Sequence, residues 1–325
     1  MGAVRDVCVI GLGLIGGSVL RAAAAAGRTA WGATDSTVDA EAAVADGFTA
    51  TVDVAGALRD AAERDAIVVL AVPLPAVERV LPLVAEHAPN CLLTDVTSVK
   101  VPVLDVVGRR LPDARFCGGH PMAGTAESGW AAGSATLFSG AAWVVCVEDD
   151  TDLDVWREVA ALALDAGAHV VPTNAAAHDE VVARISHLPH LMAGVLAAVG
   201  AVGGPLAAAL AAGSFRDGTR VAGSHPELVR AMTEGNRASL LPVLDEALGR
   251  LGAARGSLAS TGGLAATIDA GHEGIRELDK YASAPHTGVR VDLGAPDARV
   301  GLLALGERGG RITALDGDVL TGEVR

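Results

Sequence analysis

The sequence predicts an α/β protein in which a parallel, doubly wound sheet is followed by an all-helical domain. Three observations carry that expectation. Short β-rich runs alternate with helix-like segments from Val4 to about Pro172, the strand signal then stops for about a hundred residues, and a glycine-rich turn closes the first apolar run. A chain of 325 residues, half of them hydrophobic, is long enough for two cores.

The strand candidates are Val4 to Ile10, Thr29 to Thr34, Ala66 to Val72, Cys91 to Asp95, Ala141 to Val147 and His169 to Val171. Between them, Ile15 to Ala26, Pro75 to His87 and Leu153 to Ala166 place Ala, Leu, Val and Glu at helical spacing. Asn174 is placed to cap the next helix, and long helical patterns run over Ala175 to Val202, Pro226 to Arg250 and Leu251 to Tyr281. Short β-like runs return at Val289 to Leu293, Val300 to Leu305 and Arg311 to Leu315. The expected division is therefore 1–173, 174–282 and a short β-like tail, 283–325, to which no role is assigned. Leu240, Leu241, Leu244, Leu248 and Leu251 give the helical part more apolar face than one short bundle covers, which predicts a homodimer through that domain.

A formal charge of -14 argues against a nucleic-acid surface, so an anionic substrate must meet a local cationic site. No apolar stretch reaches the roughly 20 uninterrupted residues of a membrane span. Met1 to Ile10 lacks the regions of a signal peptide, and a cytoplasmic location away from membranes is expected. Cys8, Cys91, Cys117 and Cys146 form no Cys-x-x-Cys pair and read as buried reduced thiols.

Val7-Cys8-Val9-Ile10 leads into Gly11-Leu12-Gly13-Leu14-Ile15-Gly16, a Gly-x-Gly-x-x-Gly turn between a strand and a helix. Gly11 permits the tight turn, Gly13 lets a pyrophosphate approach, Gly16 lets helix and strand pack closely, and the helix N-terminus faces the phosphates. This is the fingerprint of a Rossmann-type dinucleotide-binding domain. Asp35 closes the next strand about 20 residues on, where an acid binds the adenosine ribose hydroxyls and favours NAD. Thr34 and Ser36 leave room for NADP, and the other role open to Asp35 is to cap a turn or the next helix. Leu14 and Ile15 in the turn, with Val72 and Pro73 at the end of a later strand, complete the expected cofactor contacts.

Leu92 to Lys100 ends a strand and opens a helix, so Ser98 falls beyond a strand's carboxyl end, where ligands bind in open α/β sheets. Taken alone, Ser98 is equally a helix cap, and Lys100 reads as a solvated surface lysine. In Gly118-Gly119-His120-Pro121-Met122-Ala123-Gly124 a histidine stands between glycines and a proline, suited to take a hydroxyl proton while hydride leaves the adjacent carbon. No Gly-x-Ser-x-Gly elbow indicates a hydrolase. Ser186-His187-Leu188-Pro189-His190 sets two histidines at i and i+3 beside a helix-bending proline; without a third ligand at regular spacing they read as lining a substrate, not a metal. His178 and Asp179 read as serving the start of their helix. Arg216 and Arg220 lie in what reads as a Gly-bounded loop; Arg216 reads as a surface ion pair, and Arg220 as a carboxylate-binding group.

In order, the glycine turn, Thr94 to Lys100, Gly119 to Gly124, His187 to His190 and Thr219-Arg220-Val221-Ala222 make the chain resemble the prephenate/arogenate dehydrogenases over roughly Val4 to Tyr281. The resemblance implies a dinucleotide-binding domain followed by a helical dimerisation domain. It also implies that NAD accepts hydride from the carbinol carbon of a cyclohexadiene ring, that CO2 is lost, and that the ring becomes aromatic. By the same resemblance His120 accepts the hydrogen bond from the ring hydroxyl, Ser98 orients both, and Arg220 holds a substrate carboxylate. His190 lines the ring and nicotinamide site, with His187 as the other member of the pair. Prephenate is the expected substrate and arogenate the alternative. A β-hydroxyacid or imine-type reductase and a non-catalytic NAD-binding relative are the competing classes, and Gly119 to Gly124 argues against the first. Where some members carry a glutamate just after the His-Pro segment, this chain has Ala126 and then Glu127. The tail is too short for a complete ACT regulatory domain.

Overall fold

The computed structural model describes residues 4–125 and 127–325, and divides the chain into two units: everything up to His178 together with Gly288–Val324, and Asp179–Thr287 with Arg325.

The first unit begins with β1 (Val7–Ile10), α1 (Leu14–Ala25), β2 (Ala30–Ala33), α2 (Thr37–Ala45), β3 (Thr49–Thr51), α3 (Val54–Arg64), β4 (Ile67–Leu70), α4 (Leu74–His87), β5 (Leu92–Asp95), α5 (Val101–Arg110) and β6 (Arg115–Cys117). Each strand joins the next through a helix, and the strands pair in parallel in the order β3-β2-β1-β4-β5-β6. Strands β1 and β4 are apolar throughout and fully buried, as expected of strands covered on both faces. Short helices are fixed at their starts by side chains: Ser36, Asp53 and Asp152 each accept a backbone N–H at the head of a helix.

After Cys117 the chain leaves this sheet. β7 (Gly119–Pro121), β8 (Ala142–Cys146) and β9 (His169–Thr173), with α6 (Leu153–Asp165) as the crossover between β8 and β9, build a second sheet. The strands expected at 141–147 and 169–171 therefore extend a neighbouring sheet instead of the parallel one. Close approach makes the turn possible, since a Cβ at Gly119 would lie 2.9 Å from the Asp95 carbonyl oxygen.

The C-terminal segment completes that second sheet. β10 (Thr287–Asp292), β11 (Arg311–Asp316) and β12 (Val319–Val324) give the order β10-β12-β11-β9-β8-β7, with Ile312 opposite Val170. Val300 to Leu305, expected as a strand, lies instead in the helix Ala298–Glu307. Its buried residues Ala298, Leu302 and Leu305 are spaced four and three apart, the helical period, and Leu302 and Leu305 join the core around Trp156 and Val159. The four cysteines are buried and form no disulfide; burial pushes the Cys8 and Cys117 thiols well up, so they stay protonated.

The second unit is helical. Ala175–Val182 (α7) carries the chain out of the first unit, a π-helical turn spans Ala183–His187, and Leu188–Ala201 (α8) follows. Pro189 explains the widened turn: it has no N–H to give an i−4 carbonyl. Further helices are Gly204–Leu210 (α9), Gly213–Thr219 (α10), Pro226–Gly235 (α11), Arg237–Ser260 (α12) and Ala265–Ser283 (α13). By length and composition the stretch Ala175–Ala201 is apolar enough to cross a membrane, although Asp179, Glu180, Arg184 and three histidines interrupt it. The unit's buried apolar cluster is small, Ala183, Leu240 and Val243 with Leu188 against them. Leu241, Leu248, Leu251 and Ile275 are exposed.

Candidate active site

The glycine turn forms a cradle at the carboxyl end of β1. Gly11 has φ +102°, and a Cβ there would sit 2.4 Å from the Ala71 carbonyl oxygen; one at Gly16 would fall 1.9 Å from that of Gly11. Gly13 caps α1 without any side-chain bond, the first turn of α1 holds no acid, and a Cβ on Gly13 would meet nothing. Helices α2, α3 and α6 are capped by their own side chains, whereas α1 begins at Leu14 and Ile15 with its N–H groups available to an anion. Val72 and Pro73 follow β4, which pairs with β1 where the strand order reverses. Asp35 is exposed just beyond β2. Ser36, accepting from the Asp39 N–H at 3.2 Å, caps α2, so that helix does not use the Asp35 carboxylate.

At the end of β5 stands a buried ion pair. Asp95 is 0% exposed and Lys100 2%, which corrects the expectation of a solvated lysine: the Lys100 ammonium meets Asp95 Oδ2 and donates to the Gly119 carbonyl oxygen at 2.5 Å. Asp95 also accepts from the Thr97 hydroxyl at 2.6 Å, the Thr97 N–H at 3.0 Å and the Gly119 N–H at 3.2 Å. One carboxylate thus holds both the loop that bears Ser98 and the residue before His120. Ser98 itself is half-buried and does not cap α5, whose N-cap position is Lys100.

His120 lies on the extended strand β7, opposite Val144. Its Nδ1 is 2.9 Å from Nε2 of His178, with the ring planes 77° apart. His178, read from sequence as a helix-end residue, is 3% exposed and is the partner that sequence reasoning misses. After the strand, Thr125 and Glu127 are exposed; Ala126 lies outside the described residues.

In the helical unit His187 is buried, and its Nδ1 lies 3.0 Å from Asn236 Nδ2, which also donates to the Asp179 carbonyl oxygen at 2.7 Å. The amide nitrogen can only donate, so the His187 proton sits on Nε2. His190 is half-buried and donates from Nδ1 to the Ser186 carbonyl oxygen at 2.8 Å, which leaves its Nε2 as an acceptor in the neutral ring. The two rings differ in surroundings despite their i, i+3 spacing. Arg220 is exposed at the head of a 3₁₀ turn, Arg220–Gly223, and the preceding segment with Arg216 is helical (α10), not a loop.

An uncapped helix start behind a Gly-x-Gly-x-x-Gly turn, with a histidine fixed on an edge strand of the second sheet in the same unit, is the equipment of a nucleotide-dependent dehydrogenase. The chain belongs to the prephenate dehydrogenase family. Residues 19–172 match the family's nucleotide-binding domain and 174–262 its dimerization domain. Over 271 residues it is 33% identical to a cyclohexadienyl dehydrogenase of Zymomonas mobilis, covering 80% of this chain and 90% of that one. It is 34% identical over 258 residues to a prephenate dehydrogenase of Bacillus subtilis, covering 76% and 68%. A crystal structure from Corynebacterium glutamicum, described as a candidate prephenate dehydrogenase, superposes with a TM-score of 0.89 at 44% identity, covering 94% of this chain and 98% of that one.

Proposed function

We propose that this chain catalyses the NAD-dependent oxidative decarboxylation of prephenate to 4-hydroxyphenylpyruvate, as a cytoplasmic homodimer. The observation that carries the reading, beyond family membership, is the presence in one unit of the open glycine cradle and of His120 held on its strand by Asp95 and Lys100.

Gly11, Gly13, Leu14, Ile15 and Gly16 bind the pyrophosphate through the α1 N-terminus, Asp35 binds the adenosine ribose, and Val72 and Pro73 line the cofactor's path. Bound NAD supplies the hydride acceptor. His120 accepts the hydrogen bond from the ring hydroxyl as the carbinol carbon gives up hydride and CO2 departs; Ser98 orients that hydroxyl. Arg220 binds a substrate carboxylate, which suits a dianion in a protein of charge -14. His190 lines the ring and nicotinamide, with Nε2 as an acceptor in the neutral ring, and His187, expected as the other member of the pair, is buried and bonded to Asn236, which makes it the less direct of the two.

The exposed leucines of α12 and the domain's likeness to the family's dimerization domain support the homodimer, which sedimentation should show; a monomer at micromolar concentration would contradict it. The broader name of the Zymomonas mobilis relative makes arogenate the second substrate to test. Purified protein is mixed with NAD or NADP and either prephenate or arogenate, and reduced cofactor is followed by absorbance. Reduction is expected with NAD and prephenate, and none with any of the four pairs would overturn the reading.

A further inference from the structure

His178 stands outside the roles given above, yet its position is tightly specified. Glu148 accepts the Ala175 N–H at 2.7 Å, Asn174 accepts the Ala177 N–H at 2.8 Å with its side chain, and the Asn174 carbonyl oxygen accepts the His178 N–H at 3.0 Å. These bonds fix the first turn of α7 and set the buried His178 ring against His120, Nε2 to Nδ1 at 2.9 Å.

Two imidazole nitrogens at that distance share one proton, so one ring donates and the other accepts. If His120 carries its proton on Nδ1, it donates to His178 and keeps a lone pair on Nε2. If His178 donates instead, neutral His120 must carry its proton on Nε2, which is then a donor and cannot accept from a substrate hydroxyl. Only the first arrangement is competent for proton acceptance.

We infer that His178 is a positioning residue: by accepting from Nδ1 it holds His120 in the tautomer and ring orientation that expose Nε2 as the acceptor for the substrate's hydroxyl. The inference rests on the reading of His120 as that acceptor. No proton leaves Nδ1 in this scheme. The His178 ring contributes a directed hydrogen bond, and it acts on substrate only through His120.

The test compares wild type with His178→Leu, His178→Gln and His178→Asn, and with His120→Ala in parallel, using NAD and prephenate. A glutamine oxygen reaches the place of Nε2 and accepts there, whereas an asparagine is too short. His178→Leu and His178→Asn should lose about tenfold or more in kcat with both KM values within about twofold, and His178→Gln should recover most of the loss. Long-range 15N–1H spectra of the resting proteins supply a readout independent of turnover. His120 should be protonated on Nδ1 in wild type and His178→Gln, and a mixture of tautomers in His178→Leu. A His178→Leu enzyme with wild-type kcat, or a wild-type His120 protonated on Nε2, overturns the inference while leaving the overall reaction standing if His120→Ala is inactive. A fully active His120→Ala enzyme overturns the reading beneath it.

Discussion

Lys100 and Asp95 meet as an ion pair in the interior of the first unit, and both also bind the backbone of Gly119. The pair therefore fastens the strand that carries His120 to the end of the parallel sheet. Removing one partner from a buried pair leaves the other charge without compensation, at a cost of about 3–5 kcal/mol. Lys100→Met should lower stability by that order in denaturant titrations and depress kcat. Asp95→Leu combined with Lys100→Met should regain part of the stability but not the activity, because the clasp on Gly119 stays lost. Wild-type kcat in the single variant would separate the pair from catalysis.

Asp35 is exposed beyond β2 and is not the cap of α2. A charged acceptor lost from the ribose hydroxyls removes about 1.5–3 kcal/mol of binding. Asp35→Ala should accordingly raise the KM for NAD about tenfold or more and narrow the preference over NADP, with the KM for prephenate within about twofold. Initial rates over a cofactor series check this, and an unchanged KM for NAD would exclude Asp35 from the ribose site.

Arg220 stands exposed at the head of its turn. If it binds a substrate carboxylate in the ground state as in the transition state, Arg220→Ala raises the KM for prephenate about tenfold to a hundredfold with little change in kcat. Arg220→Lys should recover only part, since an ammonium lacks the paired donors of guanidinium. A purely kcat effect would contradict that role.

His169, at the start of β9, is held below its ordinary value near 6.5 first by burial and then by the Arg311 guanidinium. Between its folded value and 6.5 the unfolded chain binds more protons than the folded one, so stability rises with pH through that window. The contribution is fully present above about pH 6.5 and is lost as pH falls through the lower folded value. Thermal melts at pH 7.5 and 5.5 should show a smaller acid loss of Tm in His169→Gln than in wild type. Equal losses would remove His169 as a source of the acid sensitivity.

Features that depend on near neighbours in sequence are legible from it, and those that depend on distant ones are not. Gly11 to Gly16 and Asp35 fall within one strand-turn-helix-strand stretch, and β1, β2, β4 and β5 follow from apolar runs set between helical patterns, whereas the three-residue β3 and β6 of the same sheet carry too short a signal to be expected. The second sheet is illegible because β7 is three residues long and pairs with β8 only after a long intervening loop. Val300 to Leu305 misleads because a short apolar run fits a strand and a buried helix face equally well. Lys100 and His178 escape for a related reason. Nothing beside Lys100 announces that Gly119 will cover it, and the partner of His178 is 58 residues upstream. The pairing of Asp95, Thr97 and Lys100 around one strand end is the one local signal that could have shown the lysine to be buried.

The central claim is that His120 takes the proton-accepting part in an NAD-dependent decarboxylating oxidation. The measurement that tests it most directly is steady-state NADH formation from prephenate by wild type and His120→Ala, with NAD affinity determined separately by fluorescence titration. The account predicts a fall in kcat of about a hundredfold or more with NAD affinity nearly unchanged. Unchanged turnover in His120→Ala, or no NADH from the wild-type enzyme, would contradict it.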